Sequence, residues 1–254
     1  MLVEHGLPAA AAERLTPSRR YGARETLVAI AVTLVGVPFG LLLQQVTTDG
    51  PFTALDESAA QWLHTRLVHN DVAGVVLRAV SFTGKPVFLT PAVGLPALWL
   101  WRRGARKLVL FLAVVSLGGA LIDTAVKLAV GRPRPKFDEP IATAFGNSFP
   151  SGHSMSSLVC YGALLLVFLP LLAPRLRPYA VGLTIGWVAA IGFSRLALGV
   201  HFISDVLGGY ALGAAWLIGS VAAFEIWRED RGKRQTKPLA EGVEPEEAKK
   251  AVQT

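Results

Sequence analysis

The apolar residues of this chain are gathered into six long blocks, at 27–43, 86–101, 108–126, 154–172, 179–193 and 202–224, with short charged stretches between them. A membrane span needs about 20 mostly apolar residues, with about 17 as the lower limit. The blocks at 86–101 and 179–193 are slightly short and borrow residues from their flanks. Inside a bilayer every backbone polar group must be satisfied internally, so such blocks are helices. Only 17% of the 254 residues are charged, against roughly 25% in an average soluble domain. The fold class is therefore an all-α, polytopic membrane bundle of six transmembrane helices. Cys160, the single cysteine, lies within an apolar block, which excludes a disulfide scaffold. Pro86, Pro91 and Pro96 recur along the second block and predict kinks, which packed membrane helices tolerate.

The positions of the cations set the orientation. Seventeen of the 25 Lys and Arg residues lie in the N-terminal stretch, after the second span, after the fourth span, or in the C-terminal tail. In a six-span layout these four places share one side, which the positive-inside rule makes cytoplasmic. The net charge of +7 then needs no nucleic-acid partner. The chain divides into a basic cytoplasmic N-terminus (1–24), a six-span unit (25–226) and a charged cytoplasmic tail (227–254). The first span reads as a retained anchor, since no small-residue cleavage site follows it. From Arg231 on, the tail mixes Lys and Glu with almost no large apolar residues and reads as disordered. Between the first two spans, Ala59, Trp62, Leu63 and Leu67 share one helical face. That helix either lies on the membrane surface or caps the bundle.

Ionisable residues are rare in spans and mark function where they collect. Here they collect at the non-cytoplasmic ends of spans three to six. Lys127 closes the third span, and Arg132, Arg134 and Pro135 follow it. Pro150-Ser151-Gly152-His153 opens the fourth, Ser194-Arg195 closes the fifth, and His201 and Asp205 begin the sixth. His201 and Asp205, four apart, point from one helical face. The carboxylate can accept the Nδ1 proton and leave Nε2 as a nucleophile. Lys127, Arg134 and Arg195 supply positive charge, and a guanidinium fork suits phosphate oxygens. Ser151 and the backbone N–H groups of Gly152 and His153 lie at a helix N-terminus, where anions bind, leaving His153 to act as general acid. The set describes phosphoryl transfer with a histidine nucleophile, no metal and no cofactor, in which side-chain cations stabilise the transferring group. Taken singly, each piece has a plainer reading: interfacial histidines, snorkelling cations, a Ser N-cap. Asp123, four residues before Lys127, reads as a structural ion partner for that lysine.

The three groups resemble the motifs of the type 2 phosphatidic acid phosphatase family of membrane lipid phosphatases, which shares its site with vanadium haloperoxidases. The family pattern is K-x6-R-P, P-S-G-H and S-R-x5-H-x3-D. Here it is met without departure by Lys127 with Arg134-Pro135, by Pro150 to His153, and by Ser194-Arg195 with His201 and Asp205. The motifs span 127–205, and the layout of spans extends the likeness to about 25–225. The resemblance implies phosphate binding by Lys127, Arg134, Arg195, Ser151 and Gly152, and a phosphohistidine on His201 oriented by Asp205. It also implies proton transfer by His153. Arg132 stands outside the pattern and is expected to touch substrate or headgroup.

The function expected is hydrolysis of a lipid phosphate or diphosphate at the outer face of a membrane, with a bacterial inner membrane as the best match. Undecaprenyl diphosphate, phosphatidic acid and phosphatidylglycerophosphate are the candidate substrates, and Arg132 and Lys136 tilt the choice toward the diphosphate. The alternatives are a phosphotransferase that passes phosphate to another lipid or a sugar, and a non-catalytic scaffold. Gly208, Gly209 and Gly213 follow the nucleophile; the Gly209/Gly213 pair permits close helix approach, within the chain or across a homodimer seam.

Overall fold

The computed structural model describes residues 22–48 and 50–253, with the side chains of 22–32, 34 and 35 left aside. Among the described residues all regular structure is helical. The helices are α1 (Gly22–Thr47), α2 (Pro51–Leu67), α3 (Asp71–Phe82), α4 (Pro86–Arg102), α5 (Arg106–Val130), α6 (Gly152–Phe168), α7 (Arg177–Ala197), α8 (Ile203–Asp230), α9 (Pro238–Glu241) and α10 (Pro245–Gln253). Two short 3-10 turns link α6 to α7.

The span pattern is partly as the sequence predicts. Among the described residues four helical segments are long and apolar enough to cross a membrane: 106–130, 152–171, 174–197 and 203–230. The block at 86–101 does not stand alone. As α4 it has 17 residues, about 26 Å at 1.5 Å per residue, which falls short of a bilayer core of about 30 Å. It reaches spanning length only together with α3, across a bend of 42°. The first expected span falls on α1, half of whose side chains lie outside the described residues. The chain is thus an integral membrane protein with four or five spanning units among the described residues.

α6 is the central helix. Over half of its apolar window is buried, against about a third or less in the other three, and it packs on α4, α5, α7 and α8. Its sequence permits this because glycines on α8 face it. A Cβ at Gly209 would lie 2.6 Å from the Ser151 carbonyl oxygen, and one at Gly213 would lie 3.2 Å from that of Met155. The small residues therefore serve packing within the chain. Leu95, Leu117, Leu121, Leu128, Leu183 and Ile185 are exposed on the outer surface, as lipid-facing side chains are.

The antiparallel run of α5, α6, α7 and α8 gives the bundle two unlike ends. At one end, Arg103 lies over Trp99, Arg106 over Trp101, and Lys107 and Arg231 over Trp227. Tryptophan paired with cations is typical of a membrane–water interface. The tail differs from the disordered segment expected of it. Val243, Ala248 and Ala251 are buried in the apolar core with Leu166 and Leu108. Glu247 accepts hydrogen bonds from the backbone N–H groups of Lys107 and Leu108 at the start of α5, an acid at a helix N-terminus. Buried Glu244 accepts from Arg228 and Lys233, each at 2.7 Å. The small Val and Ala side chains among Lys and Glu hid this docking from the composition.

The opposite end carries the polar groups. There α2 caps the bundle against α7 and α8, and its buried stripe is Asp56, Ala60 and His64. Trp62, on the helical face it was expected to share with Ala59, Leu63 and Leu67, is exposed.

Candidate active site

The end of α5, the starts of α6 and α8, and the end of α7 meet at this capped end. Gly131 closes α5 in the left-handed conformation (φ 67°) and returns its N–H to the Lys127 carbonyl. This turn, which favours glycine, sends residues 132–135 back across the bundle. Lys127 is held by both oxygens of Asp123, at 2.6 and 2.7 Å, the ion partner expected for it. Gly152 lies so close to this pair that a Cβ would be 2.9 Å from both the Lys127 Nζ and an Asp123 oxygen. The N-terminus of α6 therefore abuts the ammonium.

All five N–H donors of Arg134 have partners. The guanidinium donates to the carbonyls of Phe145, Gly146, Asn147 and Val200, and its Nη1 lies 2.9 Å from His201 Nε2. A guanidinium only donates, so Nε2 is the unprotonated nitrogen. The proton then lies on Nδ1, 3.3 Å from Asp205 Oδ2. Burial pushes the His201 imidazole down to about 4, so the ring is neutral. The Asp205 carboxylate also accepts the Phe202 N–H at 2.8 Å, the reach-back of an N3 acid over the start of its helix.

Arg195 is buried and donates to Ser81 Oγ on α3 at 2.6 Å. The His153 ring packs beside Gly84, and its Nε2 is buried without a hydrogen-bond partner. Lys127, Arg134, Gly152, His153, Arg195 and His201 all line one cavity of about 650 Å³. Three cations, a helix N-terminus and two imidazoles, that of His201 neutral, line one space. That arrangement can hold a tetrahedral anion and attack it. Among the described residues no group of three His, Cys, Asp or Glu is arranged to hold a metal ion.

Two of the eight residues singled out from the sequence stand behind this wall. Asp205 is buried beneath His201. Ser151 is also buried: its N–H donates to the Asp205 carbonyl, and its Oγ accepts from Ser154. Ser151 thus joins α6 to α8 and does not face the cavity.

A model of the PAP2 superfamily matches residues 106–229. The chain is 32% identical over 144 residues to phosphatidylglycerophosphatase B of Bacillus subtilis, covering 54% of this chain and 68% of that protein. It belongs to the PAP2 superfamily. The undecaprenyl-diphosphatase of the same organism is 30% identical over 167 residues, 62% of this chain and 77% of that one. The crystal structure of a transmembrane PAP2-type phosphatidylglycerolphosphate phosphatase from Bacillus subtilis superposes with a TM-score of 0.67 at 25% identity. It covers 80% of this chain and 98% of that one. The family resemblance carried by the three motifs is borne out.

This PAP2 chain also uses residues that its motifs do not contain. Ser81, Arg78 and Lys85 line the cavity, while Arg132 and Asp56 lie behind it. Arg132 does not face the cavity, contrary to expectation: its Nη1 donates to Asp205 at 2.8 Å and its Nη2 to Asp56 at 2.9 Å. Lys136 lines other surface depressions, one of them beside Phe137 and His64. The sequence signal for Arg78 and Lys85 was their place at the ends of an apolar stretch. Asp56, followed directly by Glu57, had no signal in the sequence.

Proposed function

We propose that this chain is a metal-independent lipid phosphatase working through a phosphohistidine on His201, at the outer face of the membrane. The observation that carries the reading is the opposition, in one cavity, of the His201 Nε2 lone pair to a ring of cations. The lipid phosphate takes the donors of Lys127, Arg195 and the start of α6. It also takes over the Arg134 donor that now points at Nε2, which frees the nucleophile. Nε2 attacks phosphorus, the bond to the lipid oxygen breaks, and His153 gives that oxygen its proton. Water then attacks the phosphohistidine, His153 takes the water's proton, the P–N bond breaks and inorganic phosphate leaves. Asp205 balances the charge that grows on the His201 ring. The outer face is supported by the basic, tryptophan-rich end lying opposite the cavity.

The substrate carries two phosphates. Arg132 and Lys136 do not support this, since neither faces the cavity; Arg78 and Lys85 do, as cations beyond the three that hold the reacting phosphate. Polyprenyl diphosphate and phosphatidylglycerophosphate satisfy this requirement, and the names of the two relatives agree with it. Phosphatidic acid, with one phosphate, does not. The test is phosphate release in detergent from all three lipids, by wild type and by Lys85→Ala. The expected result is preference for the two-phosphate lipids, with Lys85→Ala losing kcat/KM on them and not on phosphatidic acid. A preference for phosphatidic acid, or equal losses on all three, overturns the substrate class. Phosphate appearing on an acceptor lipid and not in solution would mark a transferase.

A further inference from the structure

The groups behind His201 form a closed polar chain. Asp205 holds His201 with Oδ2, and its Oδ1 accepts Arg132 Nη1 at 2.8 Å. The other arm of that guanidinium donates to Asp56 Oδ2 at 2.9 Å. Asp56 then accepts the Ser204 N–H at 3.0 Å and the Ser204 hydroxyl, and Ser204 Oγ accepts Arg132 Nη1 at 2.7 Å. Asp56 and Asp205 are buried, and the Arg132 side chain is 9% exposed. The guanidinium plane also lies 4.3 Å from the centre of the Phe202 ring. The members come from α2, the 131–135 turn and the first turn of α8, which are far apart in the chain.

Buried charges persist only when paired and hydrogen-bonded, and here one guanidinium serves two carboxylates. Its planar fork has fixed arms, so the place of Asp56 determines where Arg132 presents Nη1 to Asp205. We infer that Asp56 and Arg132 are positioning residues for the reaction, fixing the Asp205 carboxylate and through it the ring of His201. Neither touches the substrate. The inference rests on the reading of His201 as nucleophile and Asp205 as its orienting acid. It assigns α2, the helix between the first two spans, a part in the chemistry beyond capping the bundle.

The test uses Asp56→Asn, Arg132→Lys and Asp205→Asn, singly, and Asp56→Asn combined with Asp205→Asn. Turnover of polyprenyl diphosphate and trapping of the labelled phosphoenzyme are measured in detergent. Asp56→Asn keeps shape and removes the charge; Arg132→Lys keeps the charge and removes the fork. Each single variant is expected to lower kcat about ten- to a hundred-fold, the range seen for partners that orient a metal-bound histidine from behind. KM should stay within about twofold, because the phosphate's own ligands are untouched, and phosphoenzyme should form more slowly. The decisive readout is the double variant. If Asp56 acts through Asp205, adding Asp56→Asn to Asp205→Asn costs nothing more.

Additive losses, or a KM that rises with kcat unchanged, overturn the inference. So does wild-type turnover in both Asp56→Asn and Arg132→Lys while Asp205→Asn is impaired. Failure of both to yield folded protein overturns it as well, by making the pair a structural latch. Wild-type turnover in Asp205→Asn itself would instead remove the reading on which the inference rests.

Discussion

Gly209 on α8 faces the backbone at the start of α6, where Gly152 and His153 line the cavity. A Cβ at this position would lie 2.6 Å from the Ser151 carbonyl oxygen, 3.1 Å from the Ser154 Cβ and 3.2 Å from the Met155 nitrogen. The first and last are backbone atoms, so no side chain can swing aside to make room. Ordinary contact begins at 3.4 Å; the helices must therefore part by about 0.8 Å, an overpacking that typically costs about 1–3 kcal/mol. The same displacement carries Gly152 and His153 away from His201, and a misplacement of about 1 Å can cost about a hundred-fold in rate. Gly209→Ala should therefore lower the unfolding temperature in detergent and reduce kcat by about two orders of magnitude. Gly219→Ala, on the same helix with nothing within 4 Å of the added carbon, is the control and should change neither. Wild-type turnover and stability in Gly209→Ala would refute the view that contact between α6 and α8 sets the site.

The docked tail, the nucleophile's titration and the Arg195 support give three further expectations. Arg228→Ala removes one of the two 2.7 Å partners of buried Glu244 and leaves Lys233 in place, so it should cost about 1–3 kcal/mol, the loss of one buried hydrogen-bond partner. Thermal unfolding in detergent checks this, and an unchanged transition would mean the tail is not docked. His201, pushed by burial from 6.5 down to about 4, takes up its proton in the unfolded chain before the folded one. Its contribution is therefore complete above pH 6.5, is lost as the pH falls toward 4, and changes no further below that. The stability of His201→Gln should fall less steeply across this window than that of wild type, as followed by unfolding at several pH values. Ser81→Ala removes the hydroxyl that holds Arg195 at 2.6 Å. It should raise KM several-fold and also lower the unfolding temperature, because both residues are buried and the guanidinium loses its acceptor.

The sequence makes legible what depends on spacing. The apolar blocks predict α5, α6, α7 and α8 because a span's length and composition are local properties. The six cavity-lining residues can be named because each sits at a helix end or in the chain just beyond one, and antiparallel spans bring alternate ends to one face. Side-chain direction is not local, which is why Arg132 was expected at the substrate. Nothing in Gly131-Arg132-Pro133-Arg134 tells which arginine turns inward to the cavity and which turns back to Asp205. Asp56 was hidden for a related reason. Its burial is created by Arg132 and Ser204, which are remote in sequence, and an acid beside Glu57 on a short helix ordinarily faces water. In the tail, Val243, Ala248 and Ala251 are too small and too scattered to signal a packed face. The second span fell short because α4 has only 17 residues and must join α3 through a bend.

The central claim is that His201 carries the phosphoryl group without the help of a metal. The most direct measurement is to mix the purified protein with lipid labelled at its terminal phosphate, in EDTA, and quench within the first turnover. The expected result is label bound covalently to wild type, labile in acid and stable in base as a phosphoramidate is, and absent from His201→Ala. Label that persists in His201→Ala, or turnover abolished by EDTA, would contradict it.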